Sequence, residues 1–231
     1  MNKIIDEHFV PDNGLSIKYY IDQGDFSGVH HLIRYEWAEL VLSDVDGLQN
    51  VLDIACGSGY GTYKIAKKYP NLSLVGADYD MNAVNDASIK YQLSNLKYVV
   101  GDVTAWKETI GDIMLDCIIS FDTIEHVKHR EIMMENIVKY LNPNGILLLS
   151  TPCGNSNNVL SPEWEHHKIE YSSASLYDFM SRYFKVILRP DDLSLPHLEL
   201  FSILDDSDVD YLLKMNPLIC KEPIKVENPY T

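Results

Sequence analysis

The stretch VLDIACGSGYGTY, residues 51–63, carries three glycines at alternate positions after a short apolar run. A glycine-rich turn after a strand lets a ligand come close to the backbone and is typical of nucleotide-binding proteins. The dinucleotide pattern GxGxxG would place its third glycine at position 62, where this chain has Thr62. The chain contains no Gly-Lys pair, which excludes the P-loop of triphosphate-binding proteins. These two mismatches favour a ligand without a phosphate group.

Three carboxylates are expected around this turn, at the ends of neighbouring strands. Asp78 is expected to accept hydrogen bonds from both ribose hydroxyls of a nucleoside, and Asp102 from an exocyclic amine such as that of adenine. Asp53, just before the turn, would repel a pyrophosphate and attract a positive charge. S-adenosylmethionine has the adenine, the ribose and the cationic tail that suit all three. Asp102 has an alternative role as the N-cap of a helix.

The elements that must position these residues alternate between apolar runs and helical stretches. Such alternation predicts βαβ units and a parallel sheet with helices on both faces. Ligands of such sheets lie beyond the carboxyl ends of the strands, where the strand order reverses. The predicted strands are residues 50–55, 72–78, 97–102, 115–122 and 145–152, and the predicted helices are 62–69, 81–93 and 128–141, the last ended by a turn at 142–145.

The two flanks add further elements. A helix is predicted over about 28–42, a second helix begins at Ser172 or Ser173 as N-cap, and FKVIL, residues 184–188, is a strand. The seventh strand is either LELFSIL, residues 198–204, or NPLICKEP, residues 216–223. We predict a helical lid or appendage over 1–44, and a ligand-binding domain over 45–231 with an acceptor-lid insertion at about 152–172.

Five segments in order resemble the motifs of class I S-adenosylmethionine-dependent methyltransferases, especially the small-molecule group that includes the ubiquinone-biosynthesis O-methyltransferases. These segments are VLDIACGSGYG, LVGADYD, VVGDVTAW, DCIISFDTIEHV and LNPNGILLLSTP. The segments EHFVPDNG and HHLIRYEWA are similar to a subset linked to sugar and polysaccharide pathways. The resemblance implies an α/β fold: a Rossmann-like, doubly wound, mostly parallel seven-stranded sheet with helices on both faces.

The resemblance also implies the cofactor and the residues that hold it. The cofactor would be S-adenosyl-L-methionine, with S-adenosyl-L-homocysteine as product. The residues expected to bind it are Arg34, Asp53, Ala55, Gly57, Gly59, Tyr60, Asp78, Tyr79, Gly101, Asp102, Val103 and Phe121.

Methyl transfer from a sulfonium is an in-line displacement with a neutral leaving group, so it depends on positioning and needs no general acid. A hydroxyl acceptor must lose its proton to a base, whereas an amine needs less help. Our candidates for this base are His126, which follows the fourth strand, and His166 and His167 of the expected acceptor lid. His126 has the alternative role of capping a helix or contacting adenosine. Because no fixed ligand spacing is present, we expect no metal.

We therefore expect O-methylation of a small molecule, such as a sugar or biosynthetic intermediate. The alternatives are a small-molecule N-methyltransferase and a protein that binds S-adenosylmethionine without catalysis. An open pocket beside the methyl group, lined by His126 and residues 163–171, would favour an enzyme. The aromatic residues Tyr19, Tyr20, Trp164 and Tyr171 would suit an aromatic or sugar acceptor.

Net charge and the distribution of apolar residues limit the kinds of partner that we expect this chain to bind. The formal net charge of −15 disfavours nucleic-acid binding, because such a surface repels phosphate backbones. No apolar run is long enough for a membrane helix and the first residues do not resemble a secretory signal, so we expect a cytoplasmic protein and no membrane partner. His30 and His31 are expected at the surface and Cys117 in the core. The sequence does not predict the oligomeric state.

Overall fold

The computed structural model describes residues 8–11, 15–152, 166–189, 192 and 215–225. Within these ranges the chain forms a seven-stranded sheet in the order β3-β2-β1-β4-β5-β7-β6. The strands are β1 Asn50–Ile54, β2 Ser73–Asp78, β3 Leu96–Val100, β4 Leu115–Phe121, β5 Leu141–Ser150, β6 Phe184–Leu188 and β7 Leu218–Pro223. Strands β1 to β5 pair in parallel, and β7 runs antiparallel to both β5 and β6. This arrangement confirms the predicted fold.

Seven helices are present in the described ranges. They are α1 Ile17–Gln23, α2 Phe26–Ser43, α3 Tyr60–Lys68, α4 Met81–Lys90, α5 Trp106–Ile110, α6 Arg130–Tyr140 and α7 Ser173–Met180. Ser172 is the N-cap of α7, as predicted, and its side chain accepts a hydrogen bond from the Ser175 amide. None of these helices combines the length and apolar character that a membrane crossing requires.

The sheet separates two apolar cores because successive side chains of a strand point to opposite faces. On β5, Ile146 and Leu148 pack against α2 and α3, whereas Leu147 and Leu149 pack against α6 and α7. β1 follows the same alternation, and it turns Asp53 toward the face that α2 and α3 cover. Cys117 of β4 is fully buried in this core, as predicted.

Several predicted boundaries were wrong for local reasons. The turn predicted at 142–145 is instead an irregular start of β5, where the pairing with β4 shifts register between Leu115 and Cys117. The single helix predicted over 28–42 is preceded by α1, and Gly24 in the left-handed conformation separates α1 from α2. The short helix α5 was not predicted. Of the two candidates for the last strand, 216–223 contains β7, and 198–204 lies outside the described residues.

Candidate functional site

A cavity of about 620 Å³ opens where the parallel strands β1, β2 and β4 end. This is the place where strand order reverses on either side of β1, as expected for a ligand site in a doubly wound sheet. Most of the predicted site residues line it. They are Arg34, Ala55, Gly57, Tyr60, Asp78, Tyr79, Gly101, Asp102, Val103, Phe121, His126 and His167.

The glycine turn bends at three successive odd-numbered positions. Ala55, Gly57 and Gly59 all have positive φ, at 58°, 54° and 77°. At Gly59 a side chain is excluded because its Cβ would lie 2.6 Å from the Ala87 Cβ. Gly59 is not among the residues that line the cavity, so it serves the close packing of the turn on α4 and β3. Gly57 borders the cavity and leaves its backbone open to a ligand.

Asp78 ends β2 and fixes the turn to the neighbouring strand. One carboxylate oxygen accepts a hydrogen bond of 2.8 Å from the Gly57 amide, and the other accepts one of 2.9 Å from the Asp80 amide. Asp78 is almost fully buried but lines the cavity. Its carboxylate is therefore rigidly held at the position predicted for the ribose hydroxyls.

Asp102 follows β3 and organises a tight turn. One oxygen, Oδ1, accepts hydrogen bonds from both the amide and the hydroxyl of Thr104. Helix α5 begins later and has Ala105 as its N-cap, so the alternative of Asp102 as the helix N-cap is wrong. Asp102 is exposed and borders the cavity, where it remains available to a ligand.

Asp53 departs from the prediction of direct ligand contact. It is fully buried beneath the turn and does not line the cavity. Its Oδ2 accepts hydrogen bonds from the Thr62 hydroxyl at 2.6 Å and the Tyr35 hydroxyl at 3.1 Å. Burial raises its pKa to about 7, against the opposing effect of these two hydrogen bonds. Asp53 thus ties α2 and α3 to β1 and acts on the site through the turn.

Helix α2 supplies a polar wall to the cavity. The Arg34 guanidinium forms an ion pair of 2.8 Å with Asp122, which follows β4 in a left-handed conformation. The prediction of surface positions for two histidines of this helix was wrong. His30 is buried and His31 lines the cavity, where burial, followed by the charge of Arg34, lowers the pKa of His31 to about 4.

The cavity is also lined by the predicted catalytic histidines His126 and His167 together with Glu125, and we call this part of its wall the acceptor end. The His126 and His167 rings meet edge to face with centroids 4.8 Å apart. Glu125 is fully buried, and its Oε2 accepts a hydrogen bond from the Thr151 hydroxyl at 2.8 Å. Burial, and next the charge of Asp122, raises the pKa of Glu125. His166 does not line the cavity, so the structure does not bring this candidate to the acceptor.

Three of the four aromatic residues proposed for the acceptor are described by the structure, and none of these three lines the cavity. Tyr20 and Tyr171 are buried in the two cores, Tyr19 packs against the first of these, and Trp164 lies outside the described residues. The aromatic lining comes instead from other residues, of which Phe9 and Trp106 were not predicted. Trp106 lies on α5, whose five residues are too few to show a helical period in the sequence.

The fold and the cavity define an α/β protein with a cavity between a glycine turn and two carboxylates that follow neighbouring strands. A family model described as a methyltransferase domain matches residues 46–189. Since this match covers more than half of the chain, the protein belongs to this family, the class I S-adenosylmethionine-dependent methyltransferases. Family membership also confirms S-adenosylmethionine as the predicted cofactor.

Individual relatives share only part of this chain. The ubiquinone biosynthesis O-methyltransferase of Rickettsia typhi is 29% identical over 143 residues, which are 59% of this chain and 56% of that protein. The phosphoethanolamine N-methyltransferase of Triticum aestivum is 32% identical over 115 residues, 48% of this chain and 22% of that protein. The matches therefore span about half or less of these relatives.

A solved structure shows the same fold over most of the chain. The plantazolicin methyltransferase BpumL, in complex with SAH, superposes with a TM-score of 0.60 at 14% sequence identity. The superposition covers 90% of this chain and 89% of that one.

Proposed function

We propose that this protein transfers the methyl group of S-adenosylmethionine to an oxygen atom of a small molecule. The observation that carries the proposal is that the residues suited to the donor and those suited to the acceptor line one cavity. Asp78 and Asp102, which suit the nucleoside, and His126 and His167, which suit the acceptor, all line this cavity. A volume of about 620 Å³ is in the ordinary range for sites of small molecules.

The roles of the donor-site residues follow from their positions. Asp78 would accept hydrogen bonds from the ribose hydroxyls, and Asp102 one from the adenine amine. The backbone of the turn at Gly57 would pack against the donor. Arg34, a basic residue of the cavity wall, would take the donor's carboxylate in exchange for part of its pairing with Asp122.

At the acceptor end, His126 and His167 would orient the acceptor hydroxyl and receive its proton as the bond to carbon forms. Both histidines line the open cavity, and this supports catalysis over simple binding of the donor. A protein that only binds the donor does not need room for an acceptor beside these histidines. The proposal includes an acceptor lid at about 152–172 and a division of the chain into 1–44 and 45–231. It also includes a cytoplasmic location. Buried free thiols at Cys56, Cys117 and Cys220 are compatible with that location.

N-methylation is the second candidate function. Asp122 and Glu125 line the acceptor end and would attract a protonated amine. The wheat relative is named as an N-methyltransferase. A sugar or another biosynthetic intermediate as acceptor belongs to the proposal and has no separate support in the cavity.

The test is a methyl-transfer assay with matched pairs of acceptors. S-adenosylmethionine with an isotopically labelled methyl group is incubated with phenols and the corresponding anilines, and with neutral sugars and the corresponding amino sugars. Mass spectrometry locates the label. Transfer to hydroxyls supports the proposal and transfer to amines alone supports the second candidate. Donor binding without transfer to either class of the panel would favour a protein that only binds the donor.

A further inference from the structure

Three side chains at the acceptor end form a cluster with the chemistry of a metal site. Glu125, His126 and His167 each offer one ligand atom, and these atoms lie within 4.8 Å of one another. The Glu125 Oε1 and the His126 Nε2 are 3.9 Å apart. A turn closed by the hydrogen bond from the His126 amide to the Thr123 carbonyl lets the two consecutive side chains converge.

Glu125 is held as a ligand would be held. Its side chain is only 1% exposed, and the Thr151 hydroxyl occupies Oε2. The second oxygen, Oε1, is buried and accepts no hydrogen bond from the described part of the chain. A buried carboxylate oxygen without a partner is costly, because it has lost its water and gained nothing in return. This oxygen is the one closest to His126.

Glu170 holds the His167 ring in its orientation through a hydrogen bond to one ring nitrogen. The His167 Nδ1 is hydrogen-bonded to Glu170 Oε1 at 2.5 Å, so Nε2 is the ring nitrogen that would coordinate an ion. A carboxylate that binds the distal nitrogen is the usual support of a metal-bound histidine. The Lys168 amide also donates to the Glu125 carbonyl at 2.6 Å, and this bond fixes the segment that carries His167 beside Glu125.

We propose that Glu125, His126 and His167 bind one divalent transition-metal ion, such as Zn²⁺, at the acceptor end of the cavity. Two imidazoles and one carboxylate suit Zn²⁺ and related ions, and three protein ligands leave coordination positions for a small molecule. Adjacent ligand atoms about 2.1 Å from a tetrahedral ion are about 3.4 Å apart. The three ligand atoms lie within 4.8 Å of one another, so side-chain rotations must bring them closer to close the site. This assignment replaces the expectation of no metal, which rested on local spacing in the sequence.

The consequence for the reaction depends on the proposed function. An acceptor hydroxyl that occupies an open coordination position loses its proton to solvent more readily, because the ion stabilises the resulting alkoxide. The alkoxide electron pair then forms the C–O bond, and the C–S electron pair returns to sulfur as the sulfonium becomes a neutral thioether. In this arrangement His126 and His167 hold the ion and neither needs to act as the base.

The test measures metal binding directly and does not need an acceptor. The whole protein is stripped with a chelator and titrated with Zn²⁺ alone by equilibrium dialysis and by calorimetry. Glu125→Gln and His167→Gln remove one ligand each, and His129→Asn removes a cavity histidine outside the cluster. S-adenosylhomocysteine is titrated into each variant to show that the fold and the donor site are intact.

We expect one equivalent of Zn²⁺ per chain at micromolar affinity in the wild type and in His129→Asn, and no such binding in the two ligand variants. Glu170→Gln should weaken the ion by about 10- to 100-fold through the orientation of His167. Absence of Zn²⁺ binding in protein that still binds S-adenosylhomocysteine would overturn the metal site and leave the proposed function standing. Undiminished binding in Glu125→Gln and His167→Gln would also overturn it, because the ion would then lie elsewhere.

Discussion

Asp53, one residue before the end of β1, and Asp78, at the end of β2, lie on neighbouring strands, but the structure gives them different tasks. Asp78 reaches the cavity, and the Gly57 and Asp80 amides hold its carboxylate. Asp53 points to the other side of the turn, where Tyr35 and Thr62 are its partners. Side chains along a strand alternate between the two faces of the sheet. The sequence does not show which face a helix covers, so it did not predict that Asp53 faces α2 and α3 and not the ligand.

The raised pKa of Asp53 predicts a pH dependence of stability. Its pKa rises from 3.8 when exposed to about 7 in the fold, so the folded state holds the proton more tightly. The contribution of this group to the free energy of unfolding is therefore complete below pH 4 and declines as the pH rises through 7, by up to about 4 kcal/mol. Asp53→Asn cannot ionise and should lack this decline.

Urea unfolding of wild type and Asp53→Asn at pH 5 and pH 8 measures this difference. We expect the stability of the variant relative to wild type to improve at the higher pH. The histidines that titrate in the same range, His30 and His31 among them, are present in both proteins and cancel. An equal response of the two proteins to pH would show that Asp53 is ionised throughout.

At the scale of elements, the glycine turn and α3 must approach α2 closely. A Cβ at Gly61 would lie 2.1 Å from the Tyr35 ring, although the φ of Gly61 is ordinary. Tyr35 cannot easily move away because it is buried and donates a hydrogen bond to Asp53. The third glycine of the turn is therefore required by the contact between two helices and not by the ligand.

Gly61→Ala should destabilise the fold by about 1–3 kcal/mol, because the added methyl group overpacks this contact. The cost should shrink in a Tyr35→Ala background, where the ring is absent, and it should persist in Tyr35→Phe. Thermal or urea unfolding of wild type, Gly61→Ala, Tyr35→Ala and the double variant gives the coupling energy between the two positions, and the same cycle with Tyr35→Phe is the control. Additive effects of Gly61→Ala and Tyr35→Ala would mean that the ring is not what excludes the side chain.

Elements with a clear hydrophobic period were predictable, and elements set by tertiary contacts were not. The buried strands β1, β4 and β5 stand out as apolar runs because helices cover both faces of the sheet. Helix α5 is too short for its period to show, and the start of β5 looks like a turn because it contains Asn142, Pro143, Asn144 and Gly145. The same distinction applies to the site. The positions of Asp78 and Asp102 were predictable because each lies at or just after the end of an apolar strand. The approach of His167 to Glu125 was not predictable, because it depends on a contact between distant segments.

At the scale of the whole molecule, the N-terminal helices share a core with the sheet. Leu32, Ile33, Trp37 and Ala38 of α2 are fully buried, in the same cluster as Val51 of β1 and Ile119 of β4. Side chains on the two sides of the predicted division between 1–44 and 45–231 therefore pack in one continuous core. Arg34 connects the same helix to the end of β4 through Asp122.

Trp37→Ala should cost about 3–5 kcal/mol of stability, because it removes a large, completely buried side chain from between α2 and the sheet. Tyr177→Ala, at an exposed aromatic on α7, is the control and should change stability by about 0.5 kcal/mol or less. Chemical unfolding of both variants provides the comparison. A loss at Trp37 no larger than that at Tyr177 would mean that α2 contributes little to the core.

Binding of S-adenosylhomocysteine to wild type and to Asp78→Asn tests the central claim most directly. Asp78→Asn replaces a carboxylate that should accept charge-assisted hydrogen bonds from the ribose, worth about 2 kcal/mol, so calorimetry should show an affinity roughly 30-fold weaker. Asp86→Asn, at an exposed position of α4 outside the cavity, should bind as wild type does, and NAD should bind to none of the three. If folded wild-type protein does not bind S-adenosylhomocysteine, or if Asp78→Asn binds it equally well, the assignment of this cavity as the donor site is contradicted.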